Sequence, residues 1–186
     1  NPQRYPDEDI ESSINIYPIS CHSYQEGRLY DFHHTEIGNI RLTIQGTGKL
    51  MFIVGESVEE ALDTDTTHFE QYPLPMISLT GSPQEIVLPE RALRFLYVKG
   101  TDVFDVKNIV LEAKVWPVEF QMQFDCDDSR FNEFWKVGVA TLHTSMHNFY
   151  LDGIKRDYLP WAMDAIICQL AGDYVFGDRQ VTRNLS

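Results

Sequence analysis

The fold of this chain is decided at residues 109–117, which read Ile-Val-Leu-Glu-Ala-Lys-Val-Trp-Pro. Apolar side chains from Ile109 to Val115 alternate with Glu112 and Lys114, which is typical of a half-buried strand. Pro117 ends this alternation, and apolar residues then recur at steps of three and four, which indicates helix. We therefore predict a β-domain at residues 1–116 and a helical domain at residues 117–186.

Upstream of Pro117, short strands separated by turn residues predict a β-sandwich. Ile40, Leu42 and Ile44 alternate with polar residues, and residues 50–54 form the continuous apolar run of a central strand. We expect the Gly-Thr-Gly at residues 46–48 to form a turn between these two strands. Further candidate strands are Ile14 to Ile19, Met76 to Leu79, Glu85 to Leu88 and Leu93 to Tyr97.

Downstream of Pro117, a long amphipathic helix comes first. Asp127, Asp128 or Ser129 can cap it, because each offers an oxygen to unpaired backbone N–H groups. Its apolar face continues to about Tyr150, and we expect the helix to end there.

A second helix is predicted from about Trp161 to Tyr174, with Pro160 suited to its first turn. It is apolar almost all round, so we expect it to be buried on most sides. Gly177 ends it, and Asp178 can cap a third helix. These helices stop in mid-pattern, which indicates the first helices of a larger, truncated helical domain.

Charge and composition disfavour several classes of function. The chain carries 28 acidic residues against 15 Lys and Arg, a net charge of −13, which would repel nucleic acid. Its apolar runs are shorter than the roughly 20 residues that span a bilayer. Cys21, Cys126 and Cys168 form neither a disulfide framework nor a zinc pattern. Since no Gly-rich phosphate loop and no nucleophile elbow is present, we expect no cofactor.

Histidines give only weak metal signals. His143 and His147 are four residues apart on the first predicted helix, but no metalloprotease-type glutamate accompanies them. His33 and His34 are adjacent in the β-region, where neighbouring side chains face opposite sides of a strand, so we expect that they cannot bind a metal together. We therefore predict no metal site.

The densest chemistry lies at residues 152–164, between the two main predicted helices. Asp152, Asp157 and Asp164 are gathered there with Arg156 and Trp161. Like charges raise one another's pKa, and a neighbouring cation selects which carboxylate stays ionised, as a general acid requires. Trp161 can offer a flat floor to a sugar ring, although a tryptophan at a helix start is more often a core residue. For Asp164, the alternative is a local role at a helix N-terminus.

These residues resemble a known family. Residues 152–164, the helix before them and residues 172–178 are similar to the entry of the catalytic domain in bacterial α-L-rhamnosidases. Residues 30–32, 38–42 and 55–57 resemble, more weakly, the β-sandwich that precedes that domain. The resemblance implies a β-sandwich followed by an (α/α)6 toroid, and cleavage of terminal α-linked L-rhamnose with inversion.

The resemblance also implies roles for individual residues. Asp152 and Asp164 fall on acidic residues that bind sugar hydroxyls, and Trp161 falls on the aromatic between them. Asp157 falls on the general acid, which is normally a glutamate, so the carboxyl group here is set back by one methylene. Either the backbone approaches the substrate more closely, or Asp157 is not the acid and the substrate is another hexose or deoxyhexose. Arg156 lies beside Asp157 as a substrate-binding candidate.

The general base in this family is a glutamate later in the catalytic domain. An inverting hydrolase needs that second carboxylate about 6.5–9.5 Å from the acid, and we find no substitute within residues 1–186. The chain is thus expected to be an inert fragment that requires the rest of its own catalytic domain. The resemblance favours a periplasmic or cell-surface location, although residues 1–11 do not resemble a signal peptide.

Two other functions stay open. A non-catalytic carbohydrate-binding module would use the sandwich, with the aspartates serving as caps and ion-pair partners of Lys155 and Arg156. A structural protein would use its apolar helices to assemble with another chain. The direction in which Asp157 points separates the enzyme from the binding module.

Overall fold

The computed structural model describes residues 12–156 and 158–183. Contacts between Cα atoms divide the chain into a sandwich unit, Ser13–Lys114, and a helical unit that holds the residues from Val115 onward. Within the described residues the strands are β1 (Ser12–Ile16), β2 (Ser20–Tyr24), β3 (Gly27–Gly55), β4 (Ile77–Thr80), β5 (Gln84–Val87), β6 (Arg91–Gly100) and β7 (Phe104–Val115). The helices are α1 (Val58–Leu62), α2 (Ser129–Thr144), α3 (Ala162–Val175) and α4 (Gln180–Arg183), with a 3₁₀ turn at Thr66–His68.

Strand β3 organises the sandwich unit, because it is 29 residues long and pairs antiparallel with five other strands. Both of its ends pair with β6, so that Tyr97 is opposite Leu29 on one side and Ile53 on the other. Its middle, at Leu42, pairs with β5 and with β7. The sheet therefore curls back on itself, which confirms the predicted β-sandwich.

The predicted turn at residues 46–48 is wrong, because these residues continue β3. Gly46 is opposite Phe104 of β7, and Thr47 is opposite Thr80 of β4. A Cβ at Gly46 would lie 2.6 Å from the carbonyl oxygen of Val103, and Gly48 has φ +81°. The two glycines thus permit close strand approach and a bend, rather than a reversal of the chain.

The core of the sandwich unit follows the predicted alternation. Ile40, Leu42 and Ile44 are buried, while the Arg41 side chain between them is 41% exposed and pairs with Glu85 and Glu112. Burial of each such aliphatic side chain stabilises the fold by about 1.5–3 kcal/mol. This single buried face fixes the register of β3, because a slip by one residue would expose all three.

In the helical unit, α2 starts where its cap predicts and ends earlier than expected. The carboxylate of Asp128 accepts a hydrogen bond from the Arg130 N–H at 3.0 Å, as an N-cap. The expected end near Tyr150 is wrong, since the helix stops at Thr144. The Leu151 N–H donates to the Ser145 carbonyl at 2.9 Å, so the backbone folds back after the helix.

Helix α3 has the predicted bounds within one residue, but Pro160 precedes its N-cap, Trp161, and is not in the first turn. Gly177, with φ +66°, follows its C-terminus, and the Gly177 N–H donates to the carbonyl of Gly172 at 3.2 Å. The side chain of Asp178 accepts from the Gln180 N–H at 2.7 Å, at the start of α4.

The expected burial of α3 on most sides is wrong for this chain. Its buried residues are Ala165, Gly172 and Val175. Its larger apolar residues are more than half exposed, namely Met163, Ile166, Ile167, Leu170 and Tyr174. On α2 the same holds for Phe131, Phe134 and Val137. The sequence pattern therefore predicted correctly which residues make the helices apolar, but not that these residues are exposed.

Candidate functional site

The acidic segment, residues 152–164, begins next to a buried residue that holds the chain in place. Tyr150 is 2% exposed and packs in a buried cluster with Trp116, Met146 and Phe176. Met146 and Tyr150 also face each other in an isolated antiparallel bridge. The chain therefore enters the acidic segment from a fixed position.

Asp152 closes the first half of this segment into a loop. Its N–H donates to the carbonyl of Leu159 at 3.1 Å, and its Oδ1 accepts from the Leu159 N–H at 3.1 Å. The Trp161 N–H donates to the same carbonyl of Leu159 at 3.1 Å. Asp152 thus links the end of the core to the start of α3, and one of its carboxylate oxygens is already bound to the backbone.

The predicted general acid, Asp157, lies outside the described residues. On one side of it, Arg156 is exposed, and on the other Tyr158 has φ +52°. A non-glycine residue in this left-handed region costs about 1–3 kcal/mol and persists only where its surroundings hold it. Such strain is concentrated in functional loops, and here it occurs next to the predicted acid.

Trp161 is the N-cap of α3, makes no side-chain cap, and is 53% exposed. In this chain it is therefore not the core residue that tryptophans at helix starts usually are. An exposed indole on a hydrogen-bonded backbone can stack against the apolar face of a sugar ring.

Asp164 is exposed in the first turn of α3. This position agrees with the local alternative, in which the helix macrodipole favours an acid near a helix N-terminus. The charge of Asp164 acts on Cys168, one turn further along, whose pKa is raised by burial first and by Asp164 second. Asp164 therefore presents an exposed carboxyl group three residues after Trp161.

The helical unit also contains a polar network that the sequence pattern did not reveal. The indole N–H of Trp116 donates to Asp178 Oδ2 at 2.7 Å. His143 Nε2 lies 2.9 Å from the carbonyl oxygen of Trp116, so this nitrogen carries the hydrogen. The Gly177-Asp178 pair could have suggested part of this network. Asp178 caps α4 with Oδ1, which leaves Oδ2 to accept the hydrogen bond from Trp116.

The helix pair His143 and His147 does not form as the spacing suggests. Helix α2 ends at Thr144, so the two residues do not share a helix face. Among the described residues no group of three or more His, Cys, Asp or Glu side chains could hold a metal ion.

A second polar cluster lies in the sandwich unit, and it corrects the expectation for the two adjacent histidines. The pairing of β3 with β6 shifts register between Asp31 and Glu36, and His33 has φ +81°. The alternation of side chains is thereby lost, and the rings of His33 and His34 meet edge-on at 5.4 Å. Arg94 binds Asp31 through two hydrogen bonds of 3.0 and 3.1 Å and holds the pKa of that carboxyl below its usual range. Burial, and then the charges of His33 and Arg94, lower the pKa of His34.

A small, partly open pocket also lies in the sandwich unit, and none of the predicted site residues lines it. Its lining is mostly apolar and includes Phe52, Phe69 and Leu74. No helix in the described part of the chain has the length and apolar character needed to cross a membrane.

Comparison with known proteins gives no match to a family model and no significant match among curated proteins. Solved structures do match. A rhamnosidase from Klebsiella oxytoca with rhamnose bound superposes on 95% of this chain with a TM-score of 0.80 at 19% identity. The chain has the fold of α-L-rhamnosidases. Those from Dictyoglomus thermophilum and Aspergillus terreus each cover 92% of it with TM-scores of 0.71, at 17% and 16% identity.

The resemblance to rhamnosidases expected from residues 152–164 is confirmed at the level of the fold. The chain spans 43% of the Klebsiella rhamnosidase, and 20% and 21% of the Dictyoglomus and Aspergillus enzymes. It thus covers well under two thirds of each of these proteins.

Proposed function

We propose that this chain is the sandwich and the first catalytic-domain helices of an inverting glycoside hydrolase that releases terminal α-L-rhamnosyl groups. The observation that carries the proposal is the match to a rhamnose-bound rhamnosidase over 95% of the chain. The acidic segment supports it as well, since the sequence alone already relates that segment to these enzymes.

The chemistry of the acidic segment supports this function. Trp161 supplies an exposed flat apolar surface, and Asp164 supplies an exposed carboxylate beside it. Asp152 keeps one carboxylate oxygen for a ligand, because the other accepts the Leu159 N–H. A stacking ring flanked by carboxylate acceptors is the usual means of binding a sugar that is apolar on one face and hydroxylated at its edge.

In this proposal Asp157 is the general acid that protonates the departing glycosidic oxygen. Arg156 lies beside it and binds substrate. The shorter side chain of aspartate requires the backbone at Asp157 to approach the sugar more closely than a glutamate would.

The rest of the catalytic domain supplies the general base and completes the toroid. The exposed apolar residues of α2 and α3 support this, since an apolar surface of that size on a soluble protein marks an interface. In the proposal, further helices of the same domain cover these faces, and the chain alone is catalytically inert.

The experiment has two arms. The chain alone is assayed with an aryl α-L-rhamnoside, and no turnover is expected; clear turnover would place the base within residues 1–186. In the longer hydrolase, Asp157→Asn should lower kcat by about 10²–10⁴-fold with little change in sugar binding, because proton donation acts in the transition state. Asp164→Asn should weaken binding as well. Small and equal effects of the two substitutions would contradict the assigned roles.

A matched pair of substitutions tests the sugar platform. Trp161→Ala should abolish the binding of L-rhamnose that is measured for the unsubstituted protein. Tyr72→Ala should leave that binding unchanged. Tyr72 is a suitable control because it is 87% exposed but lies in the sandwich unit. Loss of binding with Tyr72→Ala alone would favour the carbohydrate-binding module.

A further inference from the structure

Trp161, the proposed sugar platform, lies in an exposed stretch of the chain, residues 159–164. Leu159 is 50% exposed and Trp161 is 53% exposed, and the first buried residue of α3 is Ala165. Burial of side chains therefore does not hold this stretch in place. A stacking residue on a fixed backbone binds better, because less conformational entropy is lost when the ligand arrives.

Hydrogen bonds to the backbone of Leu159 connect this stretch to the buried part of the helical unit. The Leu159 N–H donates to Oδ1 of Asp152 at 3.1 Å, and the Asp152 N–H donates to the Leu159 carbonyl at the same distance. Leu151, directly before Asp152, is 7% exposed. Asp152 is thus the residue through which the exposed stretch is bonded to the edge of the core.

The Leu159 carbonyl also accepts a hydrogen bond from the Trp161 N–H, at 3.1 Å. This spacing of two residues is that of an inverse γ-turn, and the ring of Pro160 fixes φ at its centre close to the value that the turn needs. The Trp161 carbonyl in turn accepts from the Ala165 N–H at 2.8 Å, at the start of α3. The orientation of the Trp161 backbone therefore depends on the position of Leu159.

We propose that Asp152 is a positioning residue for Trp161. One carboxylate oxygen fixes the Leu159 N–H, the Leu159 carbonyl fixes the Trp161 N–H, and the indole is thereby presented at a set place at the N-terminus of α3. The second oxygen stays available to a ligand, so one side chain serves both purposes. The hydrogen bonds concern the helical unit alone, whereas their use for a sugar rests on the proposed function.

Asp152→Asn and Asp152→Ala form a matched pair for the test. Asparagine removes the charge but keeps an oxygen that accepts the Leu159 N–H, whereas alanine removes both. Amide hydrogen exchange at Trp161 should accelerate by about two- to tenfold in Asp152→Ala and stay unchanged in Asp152→Asn. Because the Trp161 N–H is bonded to Leu159 and not to Asp152, acceleration there reports coupling through Leu159. Equal exchange at Trp161 in the two variants would overturn the proposal.

Phe176, at the other end of α3, is an internal reference for this measurement. It is 2% exposed, and its N–H donates to the carbonyl of Gly172 at 2.8 Å. Its exchange should not change in Asp152→Ala. Equal acceleration at Phe176 and Trp161 would show that the substitution loosens the whole helical unit, and would overturn a local positioning role.

Binding of L-rhamnose by the same two variants tests the use of the platform. Both substitutions remove the carboxylate, but Asp152→Ala also releases Trp161. Its dissociation constant should therefore be about two- to tenfold higher than that of Asp152→Asn. Equal dissociation constants would contradict the positioning role. If the unsubstituted chain binds no L-rhamnose, that result counts against the proposed function, and the exchange at Trp161 still decides whether Asp152 positions it.

Discussion

Gly138→Ala and Gly172→Ala should have opposite effects on stability, although both replace a glycine inside a helix. Gly138 lies in α2 with nothing within 4 Å of an added Cβ. Alanine there gains only the better helix propensity, about 0.5–1 kcal/mol.

Gly172 lies in α3, where an added Cβ would overlap the Tyr150 hydroxyl and lie 3.1 Å from its Cζ. The propensity gain is the same, but overpacking of a buried site costs about 1–3 kcal/mol. We therefore expect Gly172→Ala to be less stable than Gly138→Ala by about 1–3 kcal/mol.

Urea unfolding followed by tryptophan fluorescence suits this comparison, because all three tryptophans, Trp116, Trp135 and Trp161, belong to the helical unit. In the Tyr150→Phe background the cost of Gly172→Ala should shrink, since the overlapping oxygen has been removed. Equal stabilisation by the two alanines would refute the close packing of Tyr150 on α3.

Three further predictions concern single sites. Asp31→Asn should lower stability by about 1 kcal/mol at neutral pH, a value reduced because the Arg94 side chain is 39% exposed. Because the folded-state pKa of Asp31 is depressed, the loss should begin to shrink near the unfolded pKa of about 3.9 and disappear only below the folded-state pKa, as measured in a urea series by circular dichroism. A loss that grows as the pH falls from 7 would contradict the ion pair. His33→Gly should raise stability by up to about 1 kcal/mol by relieving its positive φ, whereas His34→Gly should lower it, and equal effects in thermal unfolding would contradict the strain. Asp152→Ala should accelerate amide hydrogen exchange at Leu159, because it removes the oxygen that accepts the Leu159 N–H. Asp152→Asn keeps an acceptor oxygen and should change this exchange little. Equal exchange rates in the two variants would show that the Asp152 side chain does not close the loop.

Local signals in the sequence predicted most element boundaries. Asp128 caps α2 and Gly177 follows the end of α3 because these residue types act through their own backbone neighbourhood. The end of α2 was missed because apolar spacing continues through Met146 and Phe149, whereas the fold-back after Thr144 depends on tertiary contacts of Tyr150.

The bend in β3 was missed for a related reason. Gly-Thr-Gly at residues 46–48 is a turn signal in isolation, but β4 and β7 pair with these residues and keep them extended. Similarly, alternation placed His33 and His34 on opposite faces, and the register shift at Asp31 to Glu36 overrode it.

For the candidate site, the sequence located Asp152, Trp161 and Asp164 but could not supply their environment. The loop closure by Asp152 and the exposure of Trp161 depend on three-dimensional contacts. The roles of Asp157 and Arg156 stay predictions.

Both ends of β3 pair with β6, and this constrains how the sandwich unit can fold during synthesis. A nascent polypeptide can pair β3 early with β2, β4 and β5, but the β6 side of both arms stays unpaired until a strand that finishes only at Gly100. An interruption of synthesis within β6 would leave two open strand edges at once, which favours aggregation over a partly folded intermediate.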